Sequence, residues 1–348
     1  MAIAVAHTLA VLRDLGLERV ESPELALSAV RLEAALWQVT AERPAMGTLV
    51  SVIGLDPSRE RLEGTMGRAF EAMQRLIDLL TRFGSASPVA TLNATGRLDG
   101  PPPEVSAVIA KALDYHRLTR GAFDVSVAPL VDLFWNHLVY EVPVEPTAAE
   151  IAEARAMVGA EHVALSRRRI GLARSGMRLT LDGIAKGYIV DAICAELDRG
   201  GVGRYLVNAG GDIRARGVNA AAQPWKVAVE NPWQRGDYPD AIGLTDCAVA
   251  TSGSYEHFYD PGRAYHHIVD ATTGRSPGHC SSVTIVAPTT LAADALATGV
   301  FVMGPKDGLA FIEKLHGCAC LILDHQGGEH RSRRWRSATP LTGGNDTR

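Results

Sequence analysis

Apolar residues recur with helical spacing over 59–83, at Leu62, Met66, Phe70, Met73, Leu76, Ile77 and Leu80. Recurrence at three and four residues predicts an amphipathic helix, which Gly84 to Pro88 ends. Glu104 to Thr119 repeats the pattern and stops before Gly121, and Ala148 to Val158 gives a shorter helix. The triplet Pro101–Pro103 and the segment 137–146 read as loops. Leu49 to Ile53 alternates and is rich in β-branched residues, which predicts a strand. Past residue 200 the period shortens. Tyr205–Asn208, Asp212–Arg216, Trp225–Glu230, Ala248–Thr251, His266–Asp270, Ser282–Ala287 and Cys318–Leu323 read as strands, and Gly210-Gly211 predicts a hairpin between the first pair. Ile184–Leu197 and Leu291–Met303 are helices, the second with Thr290 as N-cap and Gly304 just beyond it. Strands and helices without strict βαβ alternation predict an α+β fold, a mixed or antiparallel sheet core with flanking helices. Residues 1–40 read as an extension with helical pieces, 41–324 as the main domain, and 325–348 as a polar, disordered tail.

Composition narrows the function. Among 348 residues 47% are apolar and 21% charged, so the chain builds a globular core. The net charge of −4 provides no basic field for nucleic acid. Arg331, Arg333, Arg334 and Arg336 form a local basic patch, for which a nucleic-acid arm is the second reading after disorder. No apolar run reaches the roughly 18 residues that signal a membrane span. The five cysteines lack a CxxC spacing and read as small buried hydrophobes. Ala2–Leu12 is apolar but lacks a basic region before it and a clear cleavage site after it, so it is not read as an export signal. That places the chain in the cytoplasm, or in the periplasm or at a membrane if the N-terminus is truncated.

Several constellations carry candidate chemistry. Asp294 and Thr298 are four apart on one helix and share a face, and a carboxylate with a hydroxyl suits Mg²⁺. The same pair also fits a dipole-complementing Asp and a back-bonded Thr. Asp182-Gly183-Ile184-Ala185-Lys186-Gly187 sits at a strand-to-helix turn, where free N–H groups and Lys186 suit an anion; a plain glycine turn with a solvated lysine is equally open. Asn208-Ala-Gly-Gly-Asp212 is explained by a turn, or by backbone approaching a ligand. His266-His267 lie near Asp270, and alternation lets at most one of the two face a given site. Thr251-Ser252-Gly253-Ser254 ends a strand with small hydroxyls.

The order of these pieces says more than each alone. Met46-Gly47-Thr48, Ser87-Pro-Val-Ala-Thr-Leu-Asn93, Gly121-Ala-Phe-Asp-Val125, Asp182-Gly-Ile-Ala-Lys-Gly187, Leu206-Val-Asn-Ala-Gly-Gly-Asp-Ile213, Ala250-Thr-Ser-Gly253, His267-Ile-Val-Asp270 and Ala293-Asp294 with Thr298 follow one another along the chain. This series resembles the ApbE family of FAD:protein FMN transferases over residues 45–323. The stretch Leu179–Lys186 is similar to the branch associated with nitrous oxide reductase maturation. The resemblance implies an ApbE-like fold and a Mg²⁺-dependent reaction. FAD is the substrate, FMN passes to a Thr or Ser hydroxyl of a partner protein, and AMP leaves. It implies Asp294, Thr298 and the Gly183 carbonyl as metal ligands and His267 as the base. It implies Met46, Phe83, Ala122, Phe123, Asp124, Thr180, Lys186, Thr251, Ser252, His267 and Ile268 as flavin-nucleotide positions. Neither a nucleic-acid partner nor a membrane span is implied. Two residues depart from the family pattern: Thr180 replaces an acidic residue six before the lysine, and Ala271 replaces a proline. An FAD pyrophosphatase and a non-catalytic flavin-binding maturation protein are the alternatives.

Overall fold

The computed structural model describes residues 25–337, apart from 34, 85, 140–143, 234–237, 257 and 261. Its strands are β1 (Ala26–Glu33), β2 (Leu36–Ala45), β3 (Thr48–Asp56), β4 (Arg97–Asp99), β5 (Val163–Leu165), β6 (Arg169–Leu172), β7 (Tyr205–Ala209), β8 (Asp212–Arg216), β9 (Trp225–Val229), β10 (Asp240–Leu244), β11 (Ala248–Gly253), β12 (Cys280–Ala287), β13 (Ala319–Asp324) and β14 (Glu329–Arg331). Its helices are α1 (Arg59–Leu80), α2 (Pro88–Thr95), α3 (Pro103–Leu118), α4 (Ala128–Leu138), α5 (Ala148–Ala156), α6 (Ala185–Arg199) and α7 (Thr290–Ile312). A nine-stranded sheet in the order β1-β2-β3-β7-β8-β11-β12-β13-β14 forms the spine, antiparallel throughout. The α+β expectation holds.

Alternation along β13 feeds two cores, one on each face. On β13, Cys320 and Ile322 face α7, where they pack with Leu296, Val300 and Phe301. Ala319, Leu321 and Leu323 face the other way, toward Trp225, Ile242 and Trp335. The largest core joins Val50, Val52, Tyr205 and Val207 of the sheet to Leu62, Met66, Phe70 and Met73 of α1 and to Ile189, Val190 and Ile193 of α6. Helix α1 starts where the Ser58 side chain accepts the Arg61 N–H at 3.1 Å.

Several expectations change. The part of the extension inside the described residues is not helical, because β1 and β2 extend the sheet there; residues 1–24 and part of the 137–146 loop lie outside the description. The tail is folded as far as residue 337: β14 pairs with β13, and Trp335 is buried with its Nε1–H donating to Asp240 at 2.8 Å. Its arginines serve the fold. Arg334 donates to the carbonyls of Ile312, Leu315 and Cys318, the first two lying at the end of α7. Residues 266–270 form a loop with isolated bridges at His266 and Asp270, not a strand. The α7 cap is Thr289, and α7 breaks at Gly304, where φ is 81°. By length and composition α7 is also long and apolar enough to cross a membrane, and half of its most apolar stretch is buried in the protein. It is apolar nearly all round because β11, β12 and α6 cover it.

Candidate active site

Helices α6 and α7 meet where one has no side chain. A Cβ on Gly187 would stand 2.5 Å from the Thr290 carbonyl oxygen, so only glycine permits this approach. The contact brings the Gly187 N–H to Asp294 Oδ2, at 3.0 Å. Asp191, one turn along α6, accepts the N–H groups of Thr290 and Leu291 at 3.0 Å each and pairs with Arg214. A carboxylate at a helix N-terminus satisfies orphan donors and complements the dipole. Asp191 thereby fixes how α7 presents Asp294.

Asp294 is 5% exposed, and burial followed by the nearby Asp212 carboxylate pushes its carboxyl well above the usual range. Lys186 Nζ lies 3.5 Å from Asp212 Oδ2 and 27% of its side chain is exposed. The Asp212 carboxylate holds the proton on Lys186, with Glu256 and Asp294 adding to it. Asp212 itself is pushed up, because its burial outweighs the attraction of one ammonium. Three carboxylates, Asp212, Asp294 and Glu256, thus share one cation. Such a site favours a further positive charge.

Gly183 completes the concavity. A Cβ there would lie 2.9 Å from Thr298 Oγ1 and 3.3 Å from the Phe123 ring. Ser252 Oγ is 3.2 Å from the same Thr298 hydroxyl. Gly183, Thr298, Ser252 and Phe123 therefore converge, and Asp294 lies one turn before Thr298. At the start of α6 the Ala185 N–H donates to the Leu181 carbonyl at 2.8 Å and the Gly187 N–H to Asp294, so the charge offered there is that of Lys186. Hard oxygens, buried negative charge and a glycine-lined hollow fit a small divalent cation.

The other predicted residues sort differently. Phe83 is 68% exposed under the Arg82 guanidinium, which lies 4.5 Å from its ring centre; Arg82 Nε is 3.7 Å from Asp182, so Phe83 flanks the turn. Met46 takes a left-handed φ of 52° beside Gly47 at 74°, in the two-residue turn between β2 and β3. A bulky residue there is strained, and strain of this kind gathers at functional sites. A Cβ at Gly210 would strike Thr48, so this turn packs on the one between β7 and β8 that leads into Asp212. Thr180 is buried and its N–H donates to the Val125 carbonyl at 2.8 Å. Ala122 is half-buried in the turn after α3. Thr251 Oγ1 is engaged with Thr284 across the sheet at 2.9 Å, on the face opposite Ser252. The Asp124 side chain is 3% exposed and faces inward, accepting from the Ser126 and Ala160 N–H groups at 2.7 and 3.1 Å.

His266 and His267 diverge even without a strand. His266 is 3% exposed; its Nε2 bonds the Pro277 carbonyl at 3.1 Å, and Nδ1 accepts the Ile268 N–H at 3.3 Å. Burial pushes its pKa down to about 4, so it is a neutral structural histidine. His267 is half-buried, and Ile268 beside it packs into the cluster that holds Ala297. The loop therefore rests on the helix that carries Asp294 and Thr298.

Sequence reading assigned no role to Asp191, Asp212, Glu256 or Gly187. Asp191 and Asp212 carry a signal, an acidic residue just after Lys186 or just after a glycine pair. Nothing in the sequence marks Glu256.

Known proteins match this chain in sequence and fold. The profile described as the ApbE family matches residues 46–322. An FAD:protein FMN transferase of Salmonella typhimurium is 32% identical over 299 residues, covering 82% of this chain and 84% of its own length. One from Haemophilus influenzae is 29% identical over 320 residues, covering 87% and 92%. The solved apbe protein of Thermotoga maritima superposes with a TM-score of 0.77 at 30% identity, over 88% of this chain and 97% of that one. The flavin transferase ApbE of Vibrio cholerae gives 0.73 at 28% identity, over 89% and 98%. The chain belongs to the ApbE family.

Proposed function

We propose that this protein transfers FMN from FAD to a hydroxyl of a partner protein. The observation that carries the proposal is the buried carboxylate excess beside Gly183, Thr298 and Lys186, in a chain whose relatives are FAD:protein FMN transferases. The acceptor oxygen of a Thr or Ser attacks the FMN phosphorus. The bond from that phosphorus to the bridging oxygen breaks, AMP leaves with the bridging oxygen, and the hydroxyl proton passes to a base.

Asp294, Thr298 and the Gly183 carbonyl would hold Mg²⁺, with Ser252 supporting the Thr298 hydroxyl. When bound, the ion supplies charge neutralisation to the pyrophosphate. Lys186, kept charged by Asp212, adds a second positive group. His267 is the group we assign to take the hydroxyl proton, since it is half-exposed whereas His266 is locked in the interior. Met46, Phe83, Ala122, Phe123, Thr180 and Ile268 line or support the flavin-nucleotide path, and Asp124 supports it from behind.

The test uses purified protein, FAD and an acceptor protein presenting a Thr or Ser. AMP release and in-gel flavin fluorescence should rise together and both stop with EDTA. AMP and free FMN forming in equal amounts, with a dark acceptor band, would replace the transferase by a pyrophosphatase.

A further inference from the structure

A second group of metal-ligating side chains lies outside the site described above. His116, Asp124 and Glu161 each offer one donor atom, and these lie within 4.8 Å of one another. Helix α3 ends with His116 in its last turn, and Glu161 stands in the 3₁₀ turn 160–162 that precedes β5.

The hydrogen bonds fix the imidazole. His116 Nδ1 is 3.2 Å from the Phe123 carbonyl and 3.3 Å from Asp124 Oδ2, and both neighbours only accept. Nδ1 therefore carries the proton. Nε2 lies 3.5 Å from Glu161 Oε2; Asp124, with Glu161 adding, favours a proton on Nε2, and a metal ion taking that proton's place would meet a lone pair directed at the carboxylate. The other Glu161 oxygen is 3.4 Å from His162 Nε2. Acceptors facing each other at this range repel unless a cation lies between them. A tetrahedral zinc with bonds of about 2.0–2.2 Å spaces its donors about 3.3–3.6 Å apart. A buried carboxylate behind the imidazole is the arrangement that orients and strengthens metal-bound histidines. Asp124 is such a carboxylate, 3% exposed and tied to Ser126 and Ala160.

We propose that His116 and Glu161, with His162 beside them and Asp124 orienting the imidazole, form a second cation site for a transition-metal dication of the zinc class. Imidazole with carboxylate suits such an ion better than Mg²⁺. Its place gives it a consequence. The ion would pin the 160–162 turn to the end of α3 and to the 119–126 turn, whose Phe123 ring packs against Gly183.

The test needs neither FAD nor an acceptor. Zinc is titrated calorimetrically into metal-free protein, with Asp294→Asn as background so that the other cradle is disabled. One equivalent should bind, and zinc should raise Tm. Glu161→Gln should weaken binding by at least about tenfold and remove the Tm rise. Its side chain is 60% exposed, so the variant should fold normally. Asp124→Asn should weaken zinc in the same direction through the imidazole. Equal zinc affinity in wild type and Glu161→Gln, or no zinc binding at all, would overturn the site and leave a proton as the only cation between His116 and Glu161.

Discussion

Gly187→Ala tests how α6 and α7 set the position of Asp294. The added methyl would meet the Thr290 oxygen at 2.5 Å, the Thr290 carbonyl carbon at 2.7 Å and Leu291 Cα at 2.8 Å. All three are backbone atoms, so no side chain can turn aside. Ordinary contact begins at 3.4 Å, so α7 must move off α6 by about 3.4 − 2.5 = 0.9 Å. The Gly187 N–H bond to Asp294, now 3.0 Å, would stretch toward 3.9 Å and cease to be a hydrogen bond. Overpacking of this kind costs about 1–3 kcal/mol of stability. A misplacement near 1 Å at reacting groups costs about 10²-fold in rate. The expected outcome is a folded protein with Tm lower by several degrees and AMP release reduced about 100-fold at saturating FAD. Gly67→Ala, on α1 with open space at its Cβ, is the control; it should leave AMP release unchanged and hold or slightly raise Tm, because Ala is the better helix former. Wild-type turnover and Tm in Gly187→Ala would refute the reasoning, because the helices would then not be held at this separation by a missing side chain.

Asp294→Asn should leave the protein folded, since it removes a buried charge, and should abolish Mg²⁺-dependent AMP release; retained turnover at high FAD would remove Asp294 from the cradle. His267→Gln should lower transfer to the acceptor far more than FAD affinity, measured by single turnover against equilibrium binding; equal losses in both would make it a binding residue. Asp191→Asn should cost about 2 kcal/mol in urea unfolding, because it weakens two N–H bonds to α7 and the pairing with Arg214. His266 gives a pH signature. Its folded pKa of about 4 lies below the unfolded 6.5, so the unfolded chain binds more protons between these values. Stability is full above pH 6.5 and falls as pH drops toward 4, by about 3 kcal/mol in all. His266→Gln should flatten that fall in urea melts between pH 7 and 5, and an unchanged slope would count against it.

Long periodic segments were legible in the sequence. The α1 stripe from Leu62 to Leu80 and the pair of strands around Gly210-Gly211 are local patterns, and each sets its own register. The β1–β2 hairpin was not legible, because exposed Leu27 and Val30 on an edge strand lack the alternation of a half-buried one. The tail looked disordered because its arginines read as solvated charge. Their partners, the carbonyls at the end of α7 and Asp240, are far away in sequence. At the site, Asp294 and Thr298 were legible as an i, i+4 pair and Gly183 as a turn. The contribution of Asp212 was not, since its meaning rests on Lys186 reaching it across the fold. The inward turn of the Asp124 carboxylate to Ser126 and Ala160 was likewise not legible, since sequence shows only that it stands next to Phe123.

The central claim is that the flavin ends up on the partner protein through phosphate. Intact-mass and peptide mass spectrometry of an acceptor, after incubation with this protein, FAD and Mg²⁺, tests it most directly. The account predicts a gain equal to FMN less one water on a single Thr or Ser, and none after that Thr is changed to Val. A mass gain that persists on the Val acceptor would contradict attachment through the hydroxyl, and an unmodified acceptor beside free FMN and AMP would contradict transfer altogether.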